Sequence, residues 1–263
     1  TSWKGCPMNQ LWPLPLAQQR LAAKLHLAKY RRESGLFAIE GWTLVAEAAA
    51  SGWEIEWIAT SADRWRTHPH VSEWGSTVYE ASAQTLAKLS QLTTSPEIIA
   101  VVRPRETDPN LIFDGSPVVY LDGVADPGNL GGMLRTGEWF GVTRWLLGPG
   151  SADPYSPKVT RAAMGSLFRA NIAQTADAKP VLMEARTRYR LVATVPKGGK
   201  ALMAVNSPIC MMFGSEARGL SAGILSLADA TYTITASGNA ESLNVGVAFG
   251  ICLYDLKTVR SLI

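Results

Sequence analysis

The chain has 263 residues, 47% of them hydrophobic, and a formal net charge of +3. That length supports one large core or two ordinary ones, and the apolar content excludes a disordered or fibrous protein. A surplus of three positive charges does not by itself imply nucleic acid, and no uncharged stretch reaches the roughly 20 residues that span a bilayer.

A secretory leader is not expected either, because Pro13 and Pro15 interrupt the apolar run from Leu11 to Ala17 and Lys4 alone makes a poor basic flank. The protein reads as cytoplasmic. Cys6, Cys210 and Cys252 are widely spaced without a Cys-x-x-Cys pair, so neither a disulfide framework nor a zinc site is expected. Cys210 and Cys252 read as core residues. His68-Pro69-His70 lacks a third ligand nearby and reads as a loop, so no metal is expected.

Residues 1–15 read as an N-terminal extension that carries no weight in the argument. Next comes a helix from about Leu16 to Arg32. Its residues Arg20, Lys24, Lys29, Arg31 and Arg32 precede any acidic side chain, a run that can neutralise phosphates, although a solvated helix face has the same composition. A helix from Gly41 to Ala50, a strand at Ile55 to Ala59, a strand around Val78 and Tyr79, a helix capped by Ser82 and a buried strand at Ile98 to Val102 follow. This α/β pattern defines a first domain over residues 16–105. The stretch from Arg103 to Gly115, with two prolines and three acidic residues, breaks the pattern, and residues 106–116 read as a linker.

From residue 117 to 263 a second α/β cycle begins with a strand at Val118 to Asp122. A glycine-rich turn, a helix from about Asn129 to Phe140 stopped by Gly141, and a strand at Trp145 to Leu147 come next. Ser156-Pro157 starts another helix. Strands are expected at Leu191 to Val195, Ile209 to Phe213 and Tyr232 to Ile234, before a last helix from Ser242 to Leu256.

Several segments of this second half put small, polar and charged residues at the carboxyl ends of expected strands, where open α/β sheets bind ligands. The first is Asp126-Pro127-Gly128-Asn129-Leu130-Gly131, followed by Arg135; the second is Gly214-Ser215-Glu216-Ala217-Arg218-Gly219; the third is Ser242-Leu243-Asn244-Val245. Each alone has an ordinary reading, as turn chemistry, a surface loop or an N-cap. A further helix carries Lys158 and Arg161 on one side and small residues on the other.

In combination and in this order, the three segments resemble the TrmH (SpoU) family of SPOUT methyltransferases, over roughly residues 117 to 257. The first half resembles the small ribosomal-protein-like α/β substrate-binding domain often found in that family, through Lys29-Tyr30-Arg31-Arg32, Leu36-Phe37-Ala38-Ile39-Glu40-Gly41 and Thr94-Ser95-Pro96-Glu97-Ile98-Ile99-Ala100. The resemblance implies a C-terminal SPOUT α/β domain with a deep trefoil knot, an exception to the rule that chains do not thread loops. It also implies a homodimer, S-adenosylmethionine (AdoMet) as cofactor, and methyl transfer to the 2′-hydroxyl of an RNA ribose.

Carried across by position, Thr194, Gly214, Ile234 and Leu243 would surround the cofactor, and Asn129, Arg135, Glu216, Ser242 and Asn244 would form the catalytic group. Lys24, Lys29, Arg31 and Arg32 would grip RNA. The matched role of Arg135 is activation of the 2′-hydroxyl. A guanidinium with a pKa above about 12 is a poor base at neutral pH, so holding a phosphate and stabilising the developing alkoxide is the easier task. Ribosomal RNA is the favoured substrate because a separate basic domain extends reach beyond one loop. Transfer RNA is the alternative, as is a non-catalytic RNA-binding or ribosome-binding protein of the same fold. A Rossmann oxidoreductase is disfavoured, since no Gly-x-Gly-x-x-Gly follows the first strand of either half.

Overall fold

The computed structural model describes residues 11–74, 77–200 and 207–261, so most of the expected N-terminal extension, Cys6 included, lies outside the described residues. The chain divides into two compact units. One runs through Pro104 and takes in Tyr155–Pro157; the other comprises Arg105–Pro154 and the chain from Lys158 onward.

The first unit is built on a five-stranded sheet of order β1-β4-β3-β5-β2. Its elements are β1 (Trp12–Pro13), α1 (Leu16–Ala22), α2 (Ala28–Ser34), β2 (Phe37–Glu40), α3 (Trp42–Ala50), β3 (Ile55–Thr60), α4 (Ala62–Thr67), a 3-10 segment (Pro69–Trp74), β4 (Thr77–Glu80), α5 (Ala83–Leu89) and β5 (Ile98–Val102). The interior strand β5 is buried along its whole length, and β2 and β3 both pair antiparallel to it. Ser61 and Ser82 cap α4 and α5 by accepting from the N–H groups of Arg64 and Thr85.

The single helix expected from Leu16 to Arg32 is two. After Ala22 the chain tightens into i→i+3 turns, with Lys24 N–H donating to Leu21 O and Leu25 N–H to Ala22 O. The break lets Leu25 enter the core at 1% exposure. Arg31 then donates to the freed Leu25 carbonyl at 2.7 Å and is itself only 6% exposed. Burial of Leu25 outweighs the propensity of the surrounding residues for one long helix.

The second unit carries a six-stranded, wholly parallel sheet of order β11-β9-β10-β6-β7-β8. In chain order its elements are β6 (Val118–Asp122), α6 (Pro127–Trp139), β7 (Arg144–Leu147), α7 (Pro157–Ala163, whose Pro157 groups with the first unit), a 3-10 turn (Met164–Arg169), β8 (Asn171–Gln174), α8 (Lys179–Ala185), β9 (Arg190–Thr194), β10 (Ile209–Gly214), α9 (Ala222–Leu225), β11 (Ala230–Tyr232) and α10 (Val245–Ser261). Covered on both faces, β6 and β10 read in sequence as unbroken apolar runs. Two glycines let α6 pack closely: a Cβ at Gly131 would sit 2.4 Å from that of Ala162, and one at Gly137 would sit 2.5 Å from the Trp145 ring.

Residues 106–116, expected as a linker, group with the second unit, because Ile112 and Phe113 are buried in its core and Phe113 packs edge-on against Tyr189 at 5.1 Å. The last helix starts at Val245 rather than Ser242. The last strand is Ala230–Tyr232 rather than Tyr232 to Ile234, so Thr233 and Ile234 leave the sheet. Among the described residues, no helix is long and apolar enough to cross a membrane.

Candidate active site

Strand order places the site. From β6 the chain moves outward through β7 and β8, then crosses to lay β9, β10 and β11 on the other side. At such a reversal the loops leaving adjacent strands diverge and open a cleft at their carboxyl ends. A cavity of about 840 Å³ lies to one side of the reversal between β6 and β10, at the carboxyl ends of β9, β10 and β11.

Thr194, Gly214, Ile234 and Leu243 all line this cavity, and so do Glu216 and Ser242. Its walls are laced together by main-chain polarity. Val195 N–H donates to Tyr232 O at 2.9 Å, Thr233 Oγ1 donates to Val195 O at 2.9 Å, and the same hydroxyl accepts from Gly199 N–H at 2.8 Å. Thr194 spends its hydroxyl on Met212 O at 2.9 Å. Its hydroxyl proton is thereby engaged, which leaves a ligand its backbone and the acceptor side of the hydroxyl.

Gly214 ends β10 where the chain turns back sharply, and Gly219 N–H donates to Ser215 O at 2.8 Å to close the loop. Asp122, at the end of β6, accepts from Ser221 N–H at 2.7 Å and fixes where the loop returns. Glu216 is thereby held out beyond the sheet edge.

Asn129, Glu216 and Asn244 form one hydrogen-bonded chain. Asn129 lies in the first turn of α6, which Asp126 caps by accepting from Asn129 N–H at 2.8 Å. This N–H, then Lys158, hold the Asp126 carboxyl below the usual carboxylate range, so its help to the helix is present at neutral pH and lost as pH falls through that lowered pKa. The Asn129 amide donates to the Glu216 carboxylate, and its Oδ1 accepts from Asn244 Nδ2 at 3.1 Å. Asn244 Oδ1 in turn accepts from the N–H groups of Gly246 and Val247, at 2.9 and 3.3 Å. Because an ionised carboxylate only accepts, the orientation of both amides follows from Glu216 outward.

Asn244 is thus the N-cap of α10, the place the sequence suggested for Ser242, which is exposed to the cavity instead. Asn129→Asp is isosteric but sets two carboxylates in contact. Turnover and thermal stability should fall at pH 8 and recover toward pH 5, where one carboxyl can keep its proton. Equal losses at both pH values would contradict the relay.

Arg135 stands apart from this group. It is exposed on α6 and makes no ion pair with any described residue, nor does it line the cavity. In the first unit Lys24 and Lys29 are exposed, with their ammonium groups 5.0 and 5.9 Å from the Tyr30 ring, and Arg32 is exposed too. Arg31 does not belong with them, being buried and bound to a carbonyl.

Sequence reasoning did not assign the loop from Val195 to Gly199, which contributes Lys197 to the cavity, nor Tyr232 and Cys252. Paired lysines around two glycines, Lys197-Gly198-Gly199-Lys200, were the available signal for that loop. Tyr232 donates its hydroxyl to Asp255 and so ties α10 to the sheet. Burial, followed by the Asp255 charge, pushes the Cys252 thiol up to about 12, so it stays protonated and is no nucleophile.

An α/β enzyme domain with a ligand cleft at its strand ends, joined to a smaller α/β domain, is the class that fold and site define. Residues 116–254 match the SpoU rRNA Methylase family, and residues 19–100 match the MRM3-like substrate binding domain. The chain belongs to the SpoU rRNA methylase family. It is 30% identical to the 23S rRNA (guanosine(2553)-2′-O)-methyltransferase of Bacillus subtilis, over 89% of this chain and 93% of that one. Among solved structures it is similar to a TrmH-family RNA methyltransferase from Porphyromonas gingivalis, with 32% identity, a TM-score of 0.81 and coverage of 92% of this chain and 97% of that chain. It is also similar to an AdoMet-bound rRNA methyltransferase from Sinorhizobium meliloti, with 28% identity, a TM-score of 0.83 and coverage of 96% and 98% of the two chains.

Proposed function

We propose that the protein transfers a methyl group from AdoMet to the ribose 2′-hydroxyl of ribosomal RNA, as a cytoplasmic enzyme. The observation that carries this reading is the junction of Asn129, Glu216 and Asn244 beside a cavity lined by Thr194, Gly214, Ile234 and Leu243. The cavity, at about 840 Å³, falls within the size range of cofactor sites. Its many main-chain groups suit the donors and acceptors of an adenosine. When bound, AdoMet supplies an electrophilic methyl carbon on a sulfonium.

The chain's own task is then placement. The Glu216–Asn129–Asn244 relay holds the start of α6, the loop after β10 and the start of α10 in one geometry, so that a nucleophile can be brought in line without reorganisation. Ser242, exposed at the cavity wall, is available to the incoming ribose. Arg135, free of acidic partners, would take an RNA phosphate, while the proton of the 2′-hydroxyl passes to phosphate or water.

Support for the trefoil knot comes from α10. It follows β11 at one edge of the sheet, yet packs beneath the β10 and β7 region, where Phe249 meets Phe213 at 5.2 Å and Trp145 at 5.5 Å. A homodimer through the catalytic unit is supported by apolar side chains left open on two of its helices: Val247 and Tyr254 on α10 are 53% and 62% exposed, and Trp139 ending α6 is 85% exposed. Sedimentation at micromolar concentration should give about twice the chain mass, and an active monomer would exclude the dimer.

The first unit grips RNA through Lys24, Lys29 and Arg32. Neutralising all three should weaken RNA binding and reduce its salt slope by about two to three units, and an unchanged slope would remove them from the interface. The choice of ribosomal RNA rests on the relative from Bacillus subtilis, which is named for 23S rRNA. Labelled methyl transfer to deproteinised 23S rRNA, with bulk tRNA in parallel, tests it; label in tRNA alone would reverse the choice.

A further inference from the structure

Four aromatic rings of the first unit form a closed circuit that the reading above does not use. Trp42 lies 4.6 Å from His68 at an interplanar angle of 31°, His68 lies 5.8 Å from His70, His70 lies 5.7 Å from Trp74, and Trp74 lies 6.3 Å from Trp42. The last three contacts are edge-on, at 64–71°. An edge-on pair covers a face of only one partner, so these three contacts leave ring faces that the circuit itself does not cover. Trp42, His68 and Trp74 are half-buried and His70 is exposed.

Topology explains how residues so far apart in sequence meet. Trp42 opens α3 directly after β2, and His68 follows α4 directly after β3. Since β2 and β3 both run antiparallel to β5, they run parallel to each other and release their chains at the same sheet edge. His68 is further fixed through Nδ1, which lies 2.8 Å from Thr67 Oγ1 and 3.3 Å from Arg64 O. The Trp42 indole N–H is buried without an acceptor, a cost that ring packing at this edge must offset.

The local charge is nearly balanced, because Arg64 pairs with Glu97 and Arg66 with Asp63. Such a surface offers ring faces and little attraction for phosphate. We propose that Trp42, His68, His70 and Trp74 form a platform on which an unpaired nucleobase of the RNA substrate stacks, separate from the basic grip at Lys24, Lys29 and Arg32. All four residues lie inside the stretch matching a substrate-binding domain. The platform rests on the reading of the protein as an RNA enzyme. It gives the first unit a means of selecting single-stranded loops over duplex, since only splayed bases expose a face.

The test uses the full chain with His70→Ala and Trp74→Leu, an unstructured ten-nucleotide RNA, and a duplex of the same length. Stacking contributions of the usual size predict about tenfold weaker binding of the single strand by each variant, with the salt slope and duplex affinity unchanged. AdoMet affinity at the wild-type level shows that the variants are folded, and the exposed His70 decides the matter should Trp74→Leu fold poorly. Wild-type affinity of both variants for the single strand, or equal losses on single strand and duplex, would overturn the platform. Failure of the wild-type protein to transfer methyl while the stacking effect persists would count against the enzymatic reading alone.

Discussion

Arg135→Ala is expected to lower methyl transfer by about 10²–10³-fold, the usual cost of removing one group that stabilises developing negative charge, while AdoMet affinity stays near wild type. The separation of effects follows from position. Arg135 is exposed on α6 and outside the cavity, whereas the four expected cofactor residues line it. A guanidinium there has no acidic partner to give up before taking a phosphate. Arg135→Lys keeps the charge but loses the planar fork that holds two phosphate oxygens at once, so partial rescue at most is expected. Calorimetric titration with AdoMet, paired with methyl transfer to bulk RNA, reads both halves. Lost AdoMet binding in Arg135→Ala, or a near wild-type rate, would remove Arg135 from its assigned role.

Gly214→Val has the largest expected effect on the cofactor. Because Gly214 lines the cavity, a branched side chain there would meet a bound ligand, but the structure gives a more severe reason. A Cβ on Gly214 would lie 1.9 Å from the carbonyl carbon of Gly219 and 2.1 Å from the Leu220 nitrogen, so the chain's own return path forbids any side chain. The 214–219 loop must therefore move bodily. With it would go Glu216 and its bond to Asn129, and the Ser221 contact to Asp122. Overpacking of this kind costs about 1–3 kcal/mol when side chains can yield and more when backbone must. We expect undetectable AdoMet binding and a lowered Tm. Gly214→Ala should share both defects, because the clash begins at Cβ; an alanine variant with normal affinity would refute this account of the glycine.

Much of the catalytic unit was legible because parallel strands buried on both faces write themselves as apolar runs. Val118–Asp122 matched its expected limits, and Ile209–Gly214 extends the expected strand by only one residue; in the first unit the antiparallel but equally buried Ile98–Val102 matched too. Short or edge elements carried no such signal. In β8, Asn171-Ile172-Ala173-Gln174, only two residues are apolar, and α8 is seven residues long. The cap of the last helix was not legible, because Ser242 and Asn244 are both good N-caps; the structure gives that place to Asn244, which also bonds Asn129.

Arg31 shows the limit of reading charge from sequence. It sits in a basic run, yet its guanidinium stabilises a helix break that local propensity did not predict. The segment 106–116 shows the converse, since Pro109 and the acids around it suggested a linker while Ile112 and Phe113 lie buried in a core. Candidate residues were legible in the sequence where their geometry was not. Motif order picked out Asn129, Glu216 and Asn244, but nothing in their spacing revealed that the first bridges the other two.

The central claim is that a methyl group passes from AdoMet to a ribose 2′-hydroxyl of ribosomal RNA. Incubating the protein with methyl-labelled AdoMet and deproteinised ribosomal RNA, followed by alkaline hydrolysis and nucleoside analysis, tests it most directly, because a 2′-O-methyl group blocks cleavage at its own phosphodiester. The account predicts label confined to an alkali-resistant dinucleotide that yields a 2′-O-methylnucleoside. Label on a base, or no label in RNA from a protein that binds AdoMet, would contradict it.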